Sequence, residues 1–384
     1  MHTRTAATRR QREVDQGAAR LVERLLELAP RGLAAAYLPD SAEFAQTVRG
    51  VAGSPTVRIR PEGVNPRYAA IAAMGLSRVP LEVQHDVLGG RTASEVAAMT
   101  AARVLGSTDP GAVALAAWAE AELTGSYPGR LLGRLRDLLS GGRPLPTVDT
   151  AWMLTAAVAA DGLGPARDVL EPAAQRLLAH AGDQGTFPHL LPPQALPRWR
   201  AHVGCFADQV YPIQALARAA ALTGESSWLA AANTTARMIC GRQGREGQWW
   251  WHYDVRDGTV VEGFPVYSVH QHAMAPMALL DLLDAGGDDH RAEVARGVHW
   301  LDSHPEVVEE LVSERWGLVW RKVARRERLK AARAAQAATS SVRAGNRLPG
   351  LDRILPPASV DHECRPYELG WLLYAWLDGG DLDD

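Results

Sequence analysis

Five stretches of this chain repeat one design: an apolar helical run, a turn rich in glycine or proline, and a second apolar helical run. Three are clear. They are "VDTAWMLTAAVAADGLGPARDVLEPAAQRLLAHAGDQGTF", "DQVYPIQALARAAALTGESSWLAAANTTARMICGRQ" and "SVHQHAMAPMALLDLLDAGGDDHRAEVARGVHWLDS". Two weaker ones precede them, from "NPRYAAIAAMGLSRVP" to "TAARVLG" and from "DPGAVALAAW" to "RLRDLLSGG". The last helix, "RPYELGWLLYAWL", pairs with the first, "DQGAARLVERLLELAPRGLAAAY". A helical hairpin cannot bury its apolar face alone, so an array must stack or close. About six hairpins predict an all-α chain closed into an α/α toroid of inner and outer helices.

Residues 1–16 are polar and read as a flexible tail, with residues 17–384 as one toroid domain. Strand-like alternation is confined to "SPTVRIRPEG" and "DGTVVEGFPVYSV", which read as loop ribbons. The segment 321–350, "RKVARRERLKAARAAQAATSSVRAGNRLPG", is a basic insertion. It reads as a solvated helix and loop, or as a cover that attracts an anionic substrate or a membrane surface.

A net charge of −3 argues against a nucleic-acid partner, and neither a P-loop nor a GxGxxG after a strand is present. Three cysteines, no signal-like apolar segment and no apolar run long enough to span a bilayer predict a cytoplasmic protein.

"GRQGREGQWWWHYD" places Gln243, Gly247 and Trp249 at the end of one hairpin. The spacing resembles the glutamine-tryptophan repeat of squalene cyclases and related prenyltransferase-repeat proteins. "GDQGTF" resembles a degenerate copy, and "PTVDTAW" resembles the Asp-Thr-Ala segment of class II terpene cyclases. The resemblance implies a toroid with a clasp between hairpins, and acid-initiated carbocation chemistry on an isoprenoid. It also has a gap. With Asp149 aligned to the last acid of the Asp-x-Asp-Asp run, Val148 occupies the protonating position and Pro146 the first. The acid must then lie elsewhere, or the enzyme ionises a diphosphate with magnesium.

The chemistry-bearing residues cluster in three places. In "WWWHYD", Trp250, Trp251 and Tyr253 supply π faces for a cation or a sugar, and Asp254 is the candidate acid, its pKa raised by neighbouring indoles. His252 stands beside it. "VEGFPVYSVHQHAM" adds Glu262, Tyr267 and His270, with Ser268 as a helix cap. "VDHECRPYELGW" alternates Glu363, Arg365 and Tyr367, which an extended segment would aim one way. Asp149 reads as an N-cap or as a pocket carboxylate. No cofactor is expected; Asp361, His362 and Cys364 form a weak zinc set.

The leading expectation is a terpenoid cyclase-like enzyme with catalytic residues Asp254, His252, Tyr267, His270 and Glu363. Trp250, Trp251, Tyr253, Glu262, Arg365, Tyr367 and Asp149 would line its pocket. The alternative is a carbohydrate-active hydrolase, lyase or epimerase acting on an oligosaccharide, since the same residues make an unusually polar ring. A non-catalytic binding toroid is the third reading.

Overall fold

The computed structural model describes residues 8–51, 58–327 and 331–378. Twelve helices build two concentric rings. The outer and inner members alternate along the chain: α1 (Gln16–Ala36), α2 (Pro66–Leu76), α3 (Ala93–Val104), α4 (Pro110–Thr124), α5 (Gly129–Ser140) and α6 (Thr147–Ala160) make the first half. The second half is α7 (Arg167–Leu178), α8 (Ala207–Thr223), α9 (Ser226–Gly241), α10 (Ala275–Asp284), α11 (Arg291–Ser303) and α12 (Pro366–Trp376).

The even-numbered helices form the inner ring, each packed on the next, and α12 returns to α2 to close it. The odd-numbered helices pack outside, with α1 against α12 as the pairing of first and last helices predicts. Inner helices are apolar all round and buried all round. Val113 to Ala119 of α4 are all inaccessible. Outer helices such as α5 bury one stripe, here Leu131, Leu132, Leu135 and Leu138. That difference is what two rings require, since only the outer one meets water.

Small residues let the inner helices approach closely. Gly75 of α2 faces Gly370 of α12, and a Cβ on Gly75 would lie 2.3 Å from the Gly370 carbonyl oxygen. Gly75→Ala must push α12 away, and we expect it to cost about 1–3 kcal/mol. Urea unfolding measures this; an unchanged midpoint would mean that the ring closes with slack.

Among the described residues, three three-stranded antiparallel sheets sit in the loops, beside three two-stranded ones. β1 (Thr47–Val51) pairs with β2 (Arg58–Glu62). β3 (Val203–Cys205), β4 (His252–Asp254) and β5 (Val260–Glu262) form the second, with Cys205 opposite His252. β6 (Val266–Tyr267), β7 (Lys322–Ala324) and β8 (Ser359–Asp361) form the third. β9 (Glu363–Cys364) joins β1 in the first. Both expected ribbons contribute strands, although residues 54–57 of the first lie outside the described residues.

Two expectations need correction. Of the tail, residues 1–7 lie outside the described residues, but Arg9–Arg12 forms a helical turn capped by Thr8. Arg10 Nη2 donates to Asp281 at 2.6 Å, so this stretch is tied to the ring. The basic insertion is a solvated face only in part, with residues 345–350 exposed. Arg321 pairs with Glu368, Lys322 with Asp361 and Arg325 with Glu262, all inward. Residues 328–330 lie outside the described residues. The helix Ala331–Val342 that follows packs on β5 and on the short helix Arg198–Ala201, so the insertion is a cover over the loop sheets.

Candidate active site at the axis of the ring

The first turns of the inner helices converge at one end of the ring. Arg67, Tyr68 and Ile71 come from α2, Val148 and Trp152 from α6, Ala207 and Tyr211 from α8, and Tyr367 from α12. His270 and Met274 belong to a five-residue π-helical turn, His270–Met274, that leads into α10. Trp251, Tyr267 and Arg321 complete the wall of a cavity of about 200 Å³. This is below the ~300–1,000 Å³ of drug-sized sites.

The lining carries two arginines and no carboxylate. The carboxylates stand behind the arginines. Arg67 donates to Asp149 through Nη1 at 2.8 Å and Nη2 at 3.1 Å, and to Asp109 through Nε at 2.9 Å. Burial depresses the Arg67 pKa, but the two aspartates outweigh it and the net shift is upward. Burial raises Asp149, and Arg67 only partly opposes this.

Arg321 Nε donates to Glu368 Oε1 at 3.1 Å. The other Glu368 oxygen is buried without a partner. Burial pushes the Glu368 pKa up to about 7, against the pull of Arg321 and Arg365. Its protonation state therefore changes near neutrality.

Aromatic rings surround His270. Phe206 lies 4.3 Å from it, Tyr267 5.0 Å, and Trp251 stacks parallel to it at 5.9 Å. Burial, and then the charge of Arg321, hold its pKa well below the usual imidazole value. His270 is thus a neutral imidazole. A neutral imidazole is a competent base.

Of the residues singled out in the sequence, Trp251, Tyr267, His270 and Tyr367 meet in this cavity. The others do not. Trp250 and Glu262 line a neighbouring groove of about 610 Å³ with Phe264 and Arg325. Tyr253 is fully buried, and His252 is buried 3.5 Å from Arg200.

Asp254 is not an acid among indoles. Its oxygens accept from Arg256 Nε at 2.9 Å and Nη2 at 2.7 Å, because the turn after β4 folds Arg256 back onto it. Glu363 accepts from Arg49 at 2.6 Å across the β9–β1 pair, outside the cavity. Arg365 donates to Tyr68 Oη at 2.9 Å behind the wall. The expected alternation fails because β9 ends at Cys364 and α12 starts at Pro366, so only Tyr367 turns inward.

Asp149 is no N-cap. It is the third residue of α6, and its carboxylate goes to Arg67. Ser268 caps nothing: its hydroxyl donates to the Trp320 carbonyl at 2.6 Å. The weak zinc set of the sequence is engaged elsewhere, His362 pairing with Glu309 and Asp361 with Lys322. Arg67, Tyr68, Tyr211, Arg321 and Glu368 were not legible in advance, since their partners lie far along the chain.

Gln243 does close a clasp, donating to the carbonyls of Gly247 at 3.1 Å and Glu293 at 2.8 Å. Gly247 has φ +96°, and a Cβ there would meet the Arg296 carbonyl oxygen at 2.0 Å. Only glycine suits such a backbone. The clasp ties the end of α9 to α11, but it does not carry the family.

Solved structures similar to this chain include sugar enzymes. An unsaturated glucuronyl hydrolase specific for heparin matches with TM-score 0.55 at 13 % identity, over 93 % of this chain and 96 % of that one. A sugar epimerase from a ruminal bacterium matches with TM-score 0.59 at 11 % identity, over 96 % and 100 %. The fold is an α/α toroid. A second glucuronyl hydrolase, from Bacillus sp. GL1 and responsible for glycosaminoglycan degradation, gives TM-score 0.53 at 12 % identity, over 94 % and 100 %. The resemblance to squalene cyclases is overturned: the toroid matches glucuronyl hydrolases and an epimerase instead. A glutamine-glycine-tryptophan clasp is a local solution that any ring of hairpins can reach. Sequence comparison matches no family model and no curated protein. Among the described residues, no helix is long and apolar enough to cross a membrane.

Proposed function

We propose that the protein is an enzyme that acts on an acidic sugar residue at the end of an oligosaccharide, by proton transfer at a ring carbon. The observation that carries this reading is the wall of the axial cavity: two arginines, four tyrosines and two tryptophans, with no carboxylate facing in. The tryptophan and tyrosine rings offer faces to a sugar. Arg67 and Arg321 hold its carboxylate, aided by the positive ends of the inner helices around them.

Ordinary glycoside hydrolysis needs two carboxylates flanking the scissile bond, which this wall does not present. Proton transfer beside a uronate needs less: an anion clamp, a base and an acid. His270 is the base, and Tyr267 or Tyr367 is the proton partner. Removing a proton next to the carboxylate, or adding one to an unsaturated uronyl ring, both fall in this class. The names of the similar structures, glucuronyl hydrolases and an epimerase, support that range.

The test is a panel of unsaturated uronyl disaccharides followed by loss of their double-bond absorbance. Saturated uronyl oligosaccharides and reducing sugars run beside it in heavy water, followed by proton NMR. Loss of absorbance or deuterium uptake at one carbon is expected, and His270→Gln should lower the rate at least ~10²-fold. A protein inert toward the whole panel, or a fully active His270→Gln, overturns the reading.

A further inference from the structure

Beside the axial cavity, a second group of side chains has no part in the chemistry above. His189, Cys205 and Asp208 bring an imidazole nitrogen, a thiol sulfur and a carboxylate oxygen within 4.8 Å of one another. We propose that these three residues bind a divalent cation of the zinc class.

Three separate segments build the site. His189 immediately precedes the short strand Leu190–Leu191, which pairs with Leu145–Pro146 ahead of α6. Cys205 ends β3, where the pairing with His252 fixes its backbone. Asp208 lies in the first turn of α8. Asp208 Oδ2 accepts from His189 Nδ1 at 3.0 Å and from the Cys205 backbone N–H at 2.7 Å. The carboxylate is fully buried and cannot swing away, whereas the His189 side chain is 46 % exposed and leaves an entry path.

The donor set selects the metal. A thiolate and an imidazole favour zinc over magnesium or calcium, which prefer oxygen. Three protein ligands with a fourth position left for water is the pattern of catalytic rather than structural zinc. The Cys205 thiol would give up its proton on binding. Ala207, between Cys205 and Asp208, lines the axial cavity, so the cation would sit against its wall.

Another trio, Cys240, His290 and Glu293, also comes together. Within it His290 and Glu293 stand 3.7 Å apart, Glu293 also pairs with Arg296 at 3.1 Å, and none of the three is fully buried. It serves as the internal control.

The experiment strips the full-length protein with chelator and titrates it with cobalt(II). We expect a thiolate-to-cobalt charge-transfer band and intense tetrahedral visible bands, saturating at one equivalent and displaced by zinc. Cys205→Ser should abolish the charge-transfer band and Cys240→Ser should retain it. His189→Ala, at a half-exposed position, should weaken binding at least ~10-fold, the loss that even a metal's outer-shell partners cause. Thermal melts check that each variant is folded. Absence of the band in the wild-type protein, its survival in Cys205→Ser, or unchanged affinity in His189→Ala overturns the proposal. The readout is spectroscopic, so it stands apart from the choice of sugar substrate.

Discussion

Replacing Asp281 with alanine is expected to lower the unfolding free energy by about 3–5 kcal/mol, because it strands buried cations. Asp281 sits near the end of α10, at the end of the ring opposite the cavity. Its Oδ2 accepts from Arg218 Nε at 2.7 Å and Gln214 Nε2 at 2.9 Å, both on α8. Its Oδ1 accepts from Arg10 at 2.6 Å. Arg218 continues to Tyr374 of α12 at 2.9 Å, and Tyr374 to Glu122 of α4 at 2.9 Å. One carboxylate thus anchors a network across four inner helices and the N-terminal turn. Without it, Arg218 keeps its charge inside the ring.

The arginines overcome the cost of burial and lower the Asp281 pKa to about 2. A lowered carboxylate contributes stability above its unfolded pKa, and that contribution is lost as pH falls through the folded one. The wild-type protein should therefore lose this support between about pH 3.8 and about pH 2. Urea unfolding of Asp281→Ala at neutral pH checks the main effect. A loss under ~1 kcal/mol, the value of a surface pair, would show that the network does not hold the ring.

The second large effect concerns Glu368, whose pKa rises from 4.5 to about 7 through burial. Here the sign is opposite. Between these values the folded protein holds more protons than the unfolded chain, so stability falls as pH rises and levels off above about 7. The shift corresponds to about 3 kcal/mol. Glu368→Gln cannot titrate, so the stability difference between wild type and variant should change by that order across the window. Urea unfolding at a series of pH values measures it. A constant difference would mean that Glu368 titrates normally.

The same group bears on substrate. When Glu368 is protonated, Arg321 keeps an uncompensated charge toward the cavity and attracts a carboxylate more strongly. The KM for an acidic sugar should rise as pH increases through about 7, and Glu368→Gln should remove that rise.

Some of the site was legible. Trp251, Tyr267, His270 and Tyr367 stand in segments dense with aromatic and polar residues, and all four line the cavity. Asp254 stands in the same density and is occupied by Arg256, two residues away. Density reveals that a segment is unusual, not which way each side chain turns. Arg67 drew no attention because it opens an ordinary alanine-rich helix. Arg321 read as part of a charge run, yet it reaches Glu368, 47 residues on. A single sequence records neither pairing.

The chain's own pattern determined the six helical hairpins, the pairing of first and last helices and the closed ring. Those properties follow from apolar periodicity and glycine breaks, which act between near neighbours. Closure decided the rest. It brought the first turns of the inner helices to one end, placed the arginines in front of their carboxylates, and gathered His189, Cys205 and Asp208 from three segments. Such groupings depend on how distant parts of the chain meet, and that is settled only when the ring shuts and water is excluded from its axis.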